Sequence, residues 1–258
     1  MTLDISPTFT WNETVWNPSM LGPALWLDAA DASTITLNGS TVSQWSDKSG
    51  NDRHVVQSVS INQPTYSTAS LNGLNTLSFD GINDTMATVV DTLPRGNNPR
   101  SMFVVYKPLR VDSANSIAGQ SLINSSSSWF MLQFRPSAGA GDPYFAGFSN
   151  DLSTGISPTL TPKIGGVTHD GTTTTLYGNG AQLAQGAKTL ATNTGILRVG
   201  SSRGISEYAQ MLLAEVVFVS RSFATLERQK LEGYLAHKWG LEADLPADHP
   251  YKNYGPRP

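Results

Sequence analysis

Ser78-Phe79-Asp80-Gly81-Ile82-Asn83-Asp84-Thr85-Met86 is the stretch whose reading decides the fold. Just before its polar centre, Leu77 and Phe79 alternate with Thr76 and Ser78, the period-two pattern of a strand with one buried face. Asp80, Gly81, Asn83 and Asp84 then supply tolerance of positive φ and side chains that cap a tight turn. The same residues form a cluster of oxygen ligands, which makes this turn the first candidate for a metal or ligand site.

Working outward, the pattern of strand followed by polar turn recurs through the 258 residues. Charged residues make up only 14%, against about 25% in ordinary globular chains. Gly, Ser, Thr and Asn fill the difference and favour strands and turns. There is no cysteine, which removes thiol catalysis, cysteine zinc sites and disulfides. The net charge of −3 comes without a basic block, so nucleic acid is not an expected partner. No apolar run approaches the roughly 20 residues of a membrane span. The N-terminus lacks the basic start and apolar core of a signal peptide, so ordinary secretion is not expected.

Residues 1–20 read as an arm carrying Phe9, Trp11 and Trp16 between Pro7 and Pro18, with 21–258 as one domain. The arm's aromatics need a surface, either their own domain or a partner, and the residues leave both open. Asp28 or Asp31 is expected to cap one helical turn. Val42–Trp45, Ser101–Lys107, Trp129–Arg135, Tyr144–Phe148, Leu197–Gly200 and Ala214–Val219 read as strands. Thr172–Tyr177 and Ala181–Leu183 flank Asn179-Gly180, a strong hairpin signal. The period then changes: Leu226, Leu231, Tyr234, Leu235 and Trp239 place a helix over about 225–239, stopped by Gly240. Ala224 stands where a capping Ser is wanted, so Ser222 or Thr225 must cap, or the cap is weak.

Three early blocks, Leu25-Trp26-Leu27-Asp28-Ala29-Ala30-Asp31, Trp45-Ser46-Asp47-Lys48-Ser49-Gly50-Asn51 and Leu77 to Asp84, fall in a telling order. Gly233-Tyr234-Leu235-Ala236-His237-Lys238-Trp239-Gly240, with Leu245-Pro246-Ala247-Asp248-His249-Pro250-Tyr251 behind it, closes the chain. Together they resemble the LamG-like, concanavalin A-like lectin-glucanase jelly rolls, in the variant found in tailed-phage virion proteins and bacterial surface proteins. The resemblance spans residues 25–251. It implies an all-β fold, a two-sheet antiparallel jelly-roll sandwich with one C-terminal helix.

The search for chemistry narrows the roles. His54, His169, His237 and His249 are isolated and read as structural. Gly200-Ser201-Ser202-Arg203-Gly204 matches a nucleophile pattern only formally, because a strand rather than a helix follows. No strand carries the paired carboxylates of a glycosidase, and Glu215 stands alone among Val216, Val217 and Phe218. No cofactor is required. Calcium would suit Asp80, Asn83 and Asp84, with Glu215 or Asp28 joining; many domains of the resembled family bind it near a sheet rim. Capping of turns by the same carboxylates is the commoner use and stays open beside it. Trp129, Tyr144 and Tyr208 are candidates for stacking on sugars, although Trp129 would serve equally as core.

The expected protein is therefore a non-catalytic virion surface protein of a tailed phage, decorating the capsid or acting as a tail adhesin and assembled in the host cytoplasm. Its partners would be other virion proteins, engaged through the arm, and host surface glycans, with self-association compatible with both. A carbohydrate-binding module of a bacterial surface protein is the alternative, and a glycoside hydrolase or polysaccharide lyase a more distant one.

Overall fold

The computed structural model describes residues 16–136 and 141–257. The first strands are β1 (Leu25–Asp28), β2 (Ile35–Asn38), β3 (Thr41–Trp45), β4 (Val55–Val56), β5 (Thr65–Leu71), β6 (Leu74–Asp80) and β7 (Met86–Thr88). The middle adds β8 (Arg100–Pro108), β9 (Asn115–Gln120), β10 (Phe130–Arg135) and β11 (Gly141–Ala146). The last third supplies β12 (Lys163–His169), β13 (Thr173–Gly178), β14 (Ala181–Ala187), β15 (Arg198–Val199), β16 (Gln210–Val219) and the helix α1 (Thr225–Trp239).

Hydrogen-bonded neighbours run β11-β10-β9-β15-β7-β4-β3 and then β5-β6-β16-β8-β12-β13-β14, with β1 on β16 and β2 on β3. Among the described residues the two runs, here the front and back sheets, join in the ladder where Thr41 of β3 meets Thr65 of β5, flanked by amide bonds from Val42 to the Pro64 carbonyl and from Tyr66 to the Ser40 carbonyl. They pack face to face: Phe130, Leu132 and Phe145 of the front sheet share one apolar core with Val104, Leu213 and Val216 of the back. The result is an antiparallel two-sheet jelly-roll sandwich.

The Asp80 stretch is a corner between the sheets rather than a hairpin. β6 ends in the back sheet and β7 begins in the front one, while Phe79 and Met86 on either side both enter the core. Asp80 Oδ1 accepts the Ile82 and Asn83 amides at 2.8 and 3.3 Å, and Asp84 Oδ2 accepts the Asp80 amide at 2.9 Å. Gly81 takes φ 76° at the bend.

The helix lies on the outer face of the back sheet, with Leu231, Leu235 and Trp239 packed on Phe103, Val105 and Val217. At its start neither Ser222 nor Thr225 caps. Instead Glu227 reaches back and accepts the Ala224 amide at 3.0 Å, half of a capping box whose other half Ala224 lacks the oxygen to make. Gly240, at φ 69°, stops it.

Three expectations shift. Phe148 and Ser149 take positive φ, so the predicted Tyr144–Phe148 strand is Gly141–Ala146 instead. Trp129 precedes its strand rather than opening it. Trp16, given to the arm, is 3% exposed and sits edge-on to Tyr234 with ring centres 5.8 Å apart. Packed between Leu21 and the helix, its ring is covered by its own domain and is not free to dock. Phe9 and Trp11 lie outside the described residues.

Candidate functional site

Strand alternation puts Leu25 and Leu27 of β1 into the inter-sheet core and turns Trp26 and Asp28 to the opposite side. β1 pairs with β16 so that Asp28 faces Glu215 across the ladder. The loop after β3 is tied down by Asp47: its Oδ1 accepts the Trp26 and Ser49 amides at 2.9 Å each, and its Oδ2 the Arg53 amide at 3.1 Å. Lys48 is thereby pinned, its own amide donating to the Trp26 carbonyl at 2.8 Å. From above, the last two turns of α1 deliver Tyr234, Lys238 and Trp239.

These groups interlock. Lys238 Nζ lies 2.6 Å from Asp28 Oδ1 and 2.8 Å from Glu215 Oε2, and donates to the Tyr234 hydroxyl at 3.2 Å. Both indoles donate to Glu215, Trp26 to Oε1 and Trp239 to Oε2, each at 2.7 Å. Lys48 Nζ bridges Asp28 Oδ2 at 3.0 Å and Asp31 Oδ2 at 2.8 Å, poised 4.5 Å from the centre of the Trp26 ring. Charges alternate in space from Glu215 through Lys238, Asp28 and Lys48 to Asp31.

The electrostatics follow from depth. Glu215 is wholly buried, and burial pushes its carboxyl up, with Lys238 pulling against that and Asp28 adding to it. Nearer solvent the balance reverses. Burial also opposes the Asp31 charge, but hydrogen bonds from Lys48 and Ser33 outweigh it and hold Asp31 below the usual carboxylate range. Lys48 likewise rises, because Asp28 and Asp31 overcome its burial.

Above this network opens a groove of 770 Å³. Trp16, Trp26 and Tyr234 give it aromatic walls, Asp28, Lys48 and Lys238 a charged floor, and Ser19, Asp31, Asn72 and His237 a polar rim. Glu215 is sealed from the groove, and the Asp28 carboxylate beside it already holds Lys238 and Lys48. As a binding surface it offers the fixed polar groups of its rim, beside Trp16, Trp26 and Tyr234, which are only 3%, 7% and 7% exposed.

The residues singled out from sequence fare unevenly. Glu215 does not join Asp80, Asn83 and Asp84: Asp80 pairs with Gln210, roughly 16 Å along β16 from Glu215 by strand rise. Asp80 and Asp84 are occupied with backbone amides at the corner. Among the described residues no three His, Asp or Glu side chains converge as metal ligands. Trp129 and Tyr144 are 4% and 7% exposed and meet on the outer face of the front sheet with Met131 and Ala146. Trp129 spends its N–H on the Ile123 carbonyl at 2.8 Å and packs 5.2 Å from Phe148, while Arg135 covers Tyr144 at 4.8 Å. Neither ring offers a free face for a sugar. Tyr208 is half-buried, its hydroxyl donating to the Gly204 carbonyl at 3.0 Å. His169, between Thr174 and Asn97, and His249, against Glu232, are structural in their contacts, whereas His237 lines the groove.

Sequence reasoning missed Lys48, Lys238 and Tyr234 as site residues. The signal was present: they stand in the blocks that carry the family resemblance, and those blocks converge here.

No protein-family model and no curated protein matches the chain. Solved structures do, at identities that speak to the fold. A GH54 α-L-arabinofuranosidase soaked with a cyclic sulfate inhibitor aligns at TM-score 0.62 and 15% identity, over 74% of this chain and 50% of that one. The chain thus spans half the length of the arabinofuranosidase. Domain 4 of AbnA, a GH43 extracellular arabinanase from Geobacillus stearothermophilus, in complex with arabinotriose, aligns at 0.60 and 14%, over 81% of this chain and 98% of that one. The binding domain of Paraclostridial Mosquitocidal Protein 1 aligns at 0.57 and 11%, over 84% and 53%. This chain shares their β-sandwich fold.

Proposed function

We propose that this chain is a non-catalytic glycan-binding jelly roll, displayed on a tailed-phage particle as a capsid decoration or tail adhesin. The groove carries the binding half of this reading. Sugars are held by fixed hydrogen-bonding groups beside aromatic surfaces; the rim groups of Ser19, Asp31, Asn72 and His237 supply the former, and Trp26 and Tyr234, each 7% exposed, line the groove next to them. The arabinanase domain solved with arabinotriose, matched over nearly its whole length, supports a glycan ligand for a domain of this extent. The non-catalytic half rests on Asp28 and Glu215. A glycosidase needs two carboxylates free to flank the scissile bond, whereas these share the Lys238 ammonium, and Glu215 is sealed from solvent. The virion half rests on the resemblance of the Leu25–Asp31, Trp45–Asn51, Leu77–Asp84 and Gly233–Tyr251 blocks to the variant found in tailed-phage virion proteins and bacterial surface proteins.

A polysaccharide array spanning bacterial envelope glycans and arabino-oligosaccharides tests the binding. Retention of at least one glycan with no release of reducing ends or unsaturated sugars is expected; release of either would make the protein an enzyme. Mass spectrometry of purified particles tests the location. Absence of the protein would reassign it to a bacterial surface.

A further inference from the structure

On the side of the molecule away from α1, the outer face of the front sheet carries a charge with nothing to balance it. Val199 of β15 points into the core, so its neighbour Arg198 projects from the opposite face. Its strand partners there are Ala87 and Gly119, two residues too small to cover it. Among the described residues the Arg198 guanidinium has no carboxylate partner and no hydrogen-bond acceptor, and its Nε is buried without one. Burial alone lowers its pKa, with no carboxylate to offset the loss of water.

The excursion between β15 and β16 runs across this face and brings a second such group. Ser202 and Ser206 close it as a bridge. Gly204 abuts the first arginine so closely that a Cβ there would stand 3.0 Å from Arg198 Nη1. Its neighbour Arg203 likewise leaves Nε buried and unpartnered, with only a long 3.4 Å contact from Nη2 to Ser206 Oγ. The acid on the same excursion, Glu207, is committed elsewhere. Arg135 takes its Oε1 at 2.9 Å, and Gln133 and Ser116 take its Oε2 at 2.6 and 3.2 Å. The face therefore holds Arg135, Arg198 and Arg203 with Glu207 and Asp151, and Asp151 is itself engaged by the Tyr144 hydroxyl and the Gly147 amide.

An unpaired, partly buried guanidinium is costly, and a planar fork of N–H donors is shaped for two oxygens of one anion. We infer that Arg198, with Arg203 on the adjoining excursion, forms a binding site for an oxyanion group (carboxylate, sulfate or phosphate) that pairs with its Nη groups, which among the described residues have no protein acceptor and, unlike Nε, are not sealed off. The site is separate from the groove and uses none of its residues. Two sources present that chemistry, an acidic saccharide and a free inorganic anion.

Calorimetric titration of the full chain at low salt distinguishes them, with an oligogalacturonate, a sulfated oligosaccharide, inorganic sulfate, inorganic phosphate and a neutral oligosaccharide as probes. At least one anionic probe is expected to bind, with affinity falling steeply as salt is added. Arg198→Gln should weaken that binding at least tenfold and Arg203→Gln by less. Arg198→Lys should restore only part, since a point charge lacks the fork. The thermal midpoint of Arg198→Gln without ligand should be unchanged or higher, because the substitution removes an unpaired buried charge. Tighter binding of a saccharide than of the inorganic ions assigns the site to an acidic glycan, and the reverse assigns it to the free anion. The inference is overturned if no anionic probe binds, or if binding is indifferent to Arg198→Gln in a protein that still melts cooperatively. Neutral-probe binding that survives both substitutions belongs to the groove and leaves this test untouched.

Discussion

Asp84 shows how much one side chain at a corner can carry. Its Oδ2 fixes the Asp80 amide, and burial pushes its carboxyl up to about 6, with that amide opposing and the Asp80 charge reinforcing the rise. A carboxyl raised in the folded state keeps a proton that the unfolded chain has already lost. Its contribution is therefore complete below about pH 4 and disappears as pH rises through about 6. Asp84→Asn keeps an acceptor for the Asp80 amide but cannot ionise. Urea unfolding at pH 4, 5, 6 and 7 should show the variant gaining on the native chain by about 1–2 kcal/mol across that range. Parallel curves would mean that Asp84 titrates normally. At this scale the sequence was half legible. Alternation named Phe79 as core and the Asp-Gly-x-Asn-Asp composition named the turn, but hydrogen bonding to amides and ligation of a metal call on the same oxygens. Trp129 and Tyr144 were ambiguous for a related reason: an aromatic at a strand end does not reveal whether Phe148 and Arg135 will fold over it.

At the scale of elements, α1 was legible from its period and its Gly240 stop, and the Asn179-Gly180 hairpin from two residues. Both are local, and both central turn residues duly take positive φ, at 45° and 82°. What joins the elements was not legible. Asp28, Lys48, Glu215 and Lys238 converge only once the β1–β16 register and the rotational phase of the helix are set, and neither is written in any single window of sequence. The junction also has an energetic signature. A buried ion pair adds little net stability, because desolvation offsets attraction, yet removing one partner strands the other. Lys238→Met should cost roughly 3–5 kcal/mol by urea unfolding near neutral pH. Without the ammonium, Glu215 rises further, so stability should recover on acidification as the stranded carboxyls protonate. Adding Glu215→Gln should recover part of the loss at neutral pH. A single variant within 1 kcal/mol of the native chain, with the same pH profile, would mean that Lys238 is a surface contact rather than the pin between helix and sheet.

Taken whole, the molecule is a sandwich with two unlike outer faces: one closed by α1 and the aromatic, charge-lined groove, the other open and rich in arginine. A bias to strands and turns was readable from composition, and the jelly-roll plan from the resemblance that the ordered blocks carry. The groove was not, since its walls come from Trp16, β1, the loop after β3 and the last two turns of the helix. The claim that this groove binds glycans is tested most directly by nuclear magnetic resonance of the tryptophan indole N–H signals. Any glycan retained on the array would be titrated into the native chain and into Ser19→Arg, which places a bulky side chain at the groove's exposed rim. The indole signals of Trp16 and Trp26 should shift saturably in the native protein, and that of Trp45, fully buried between the sheets, should stay fixed. In Ser19→Arg, with an unchanged melting midpoint, the affinity should drop at least tenfold. Saturable binding that leaves Trp16 and Trp26 unmoved, or that survives Ser19→Arg at full strength, would contradict the account.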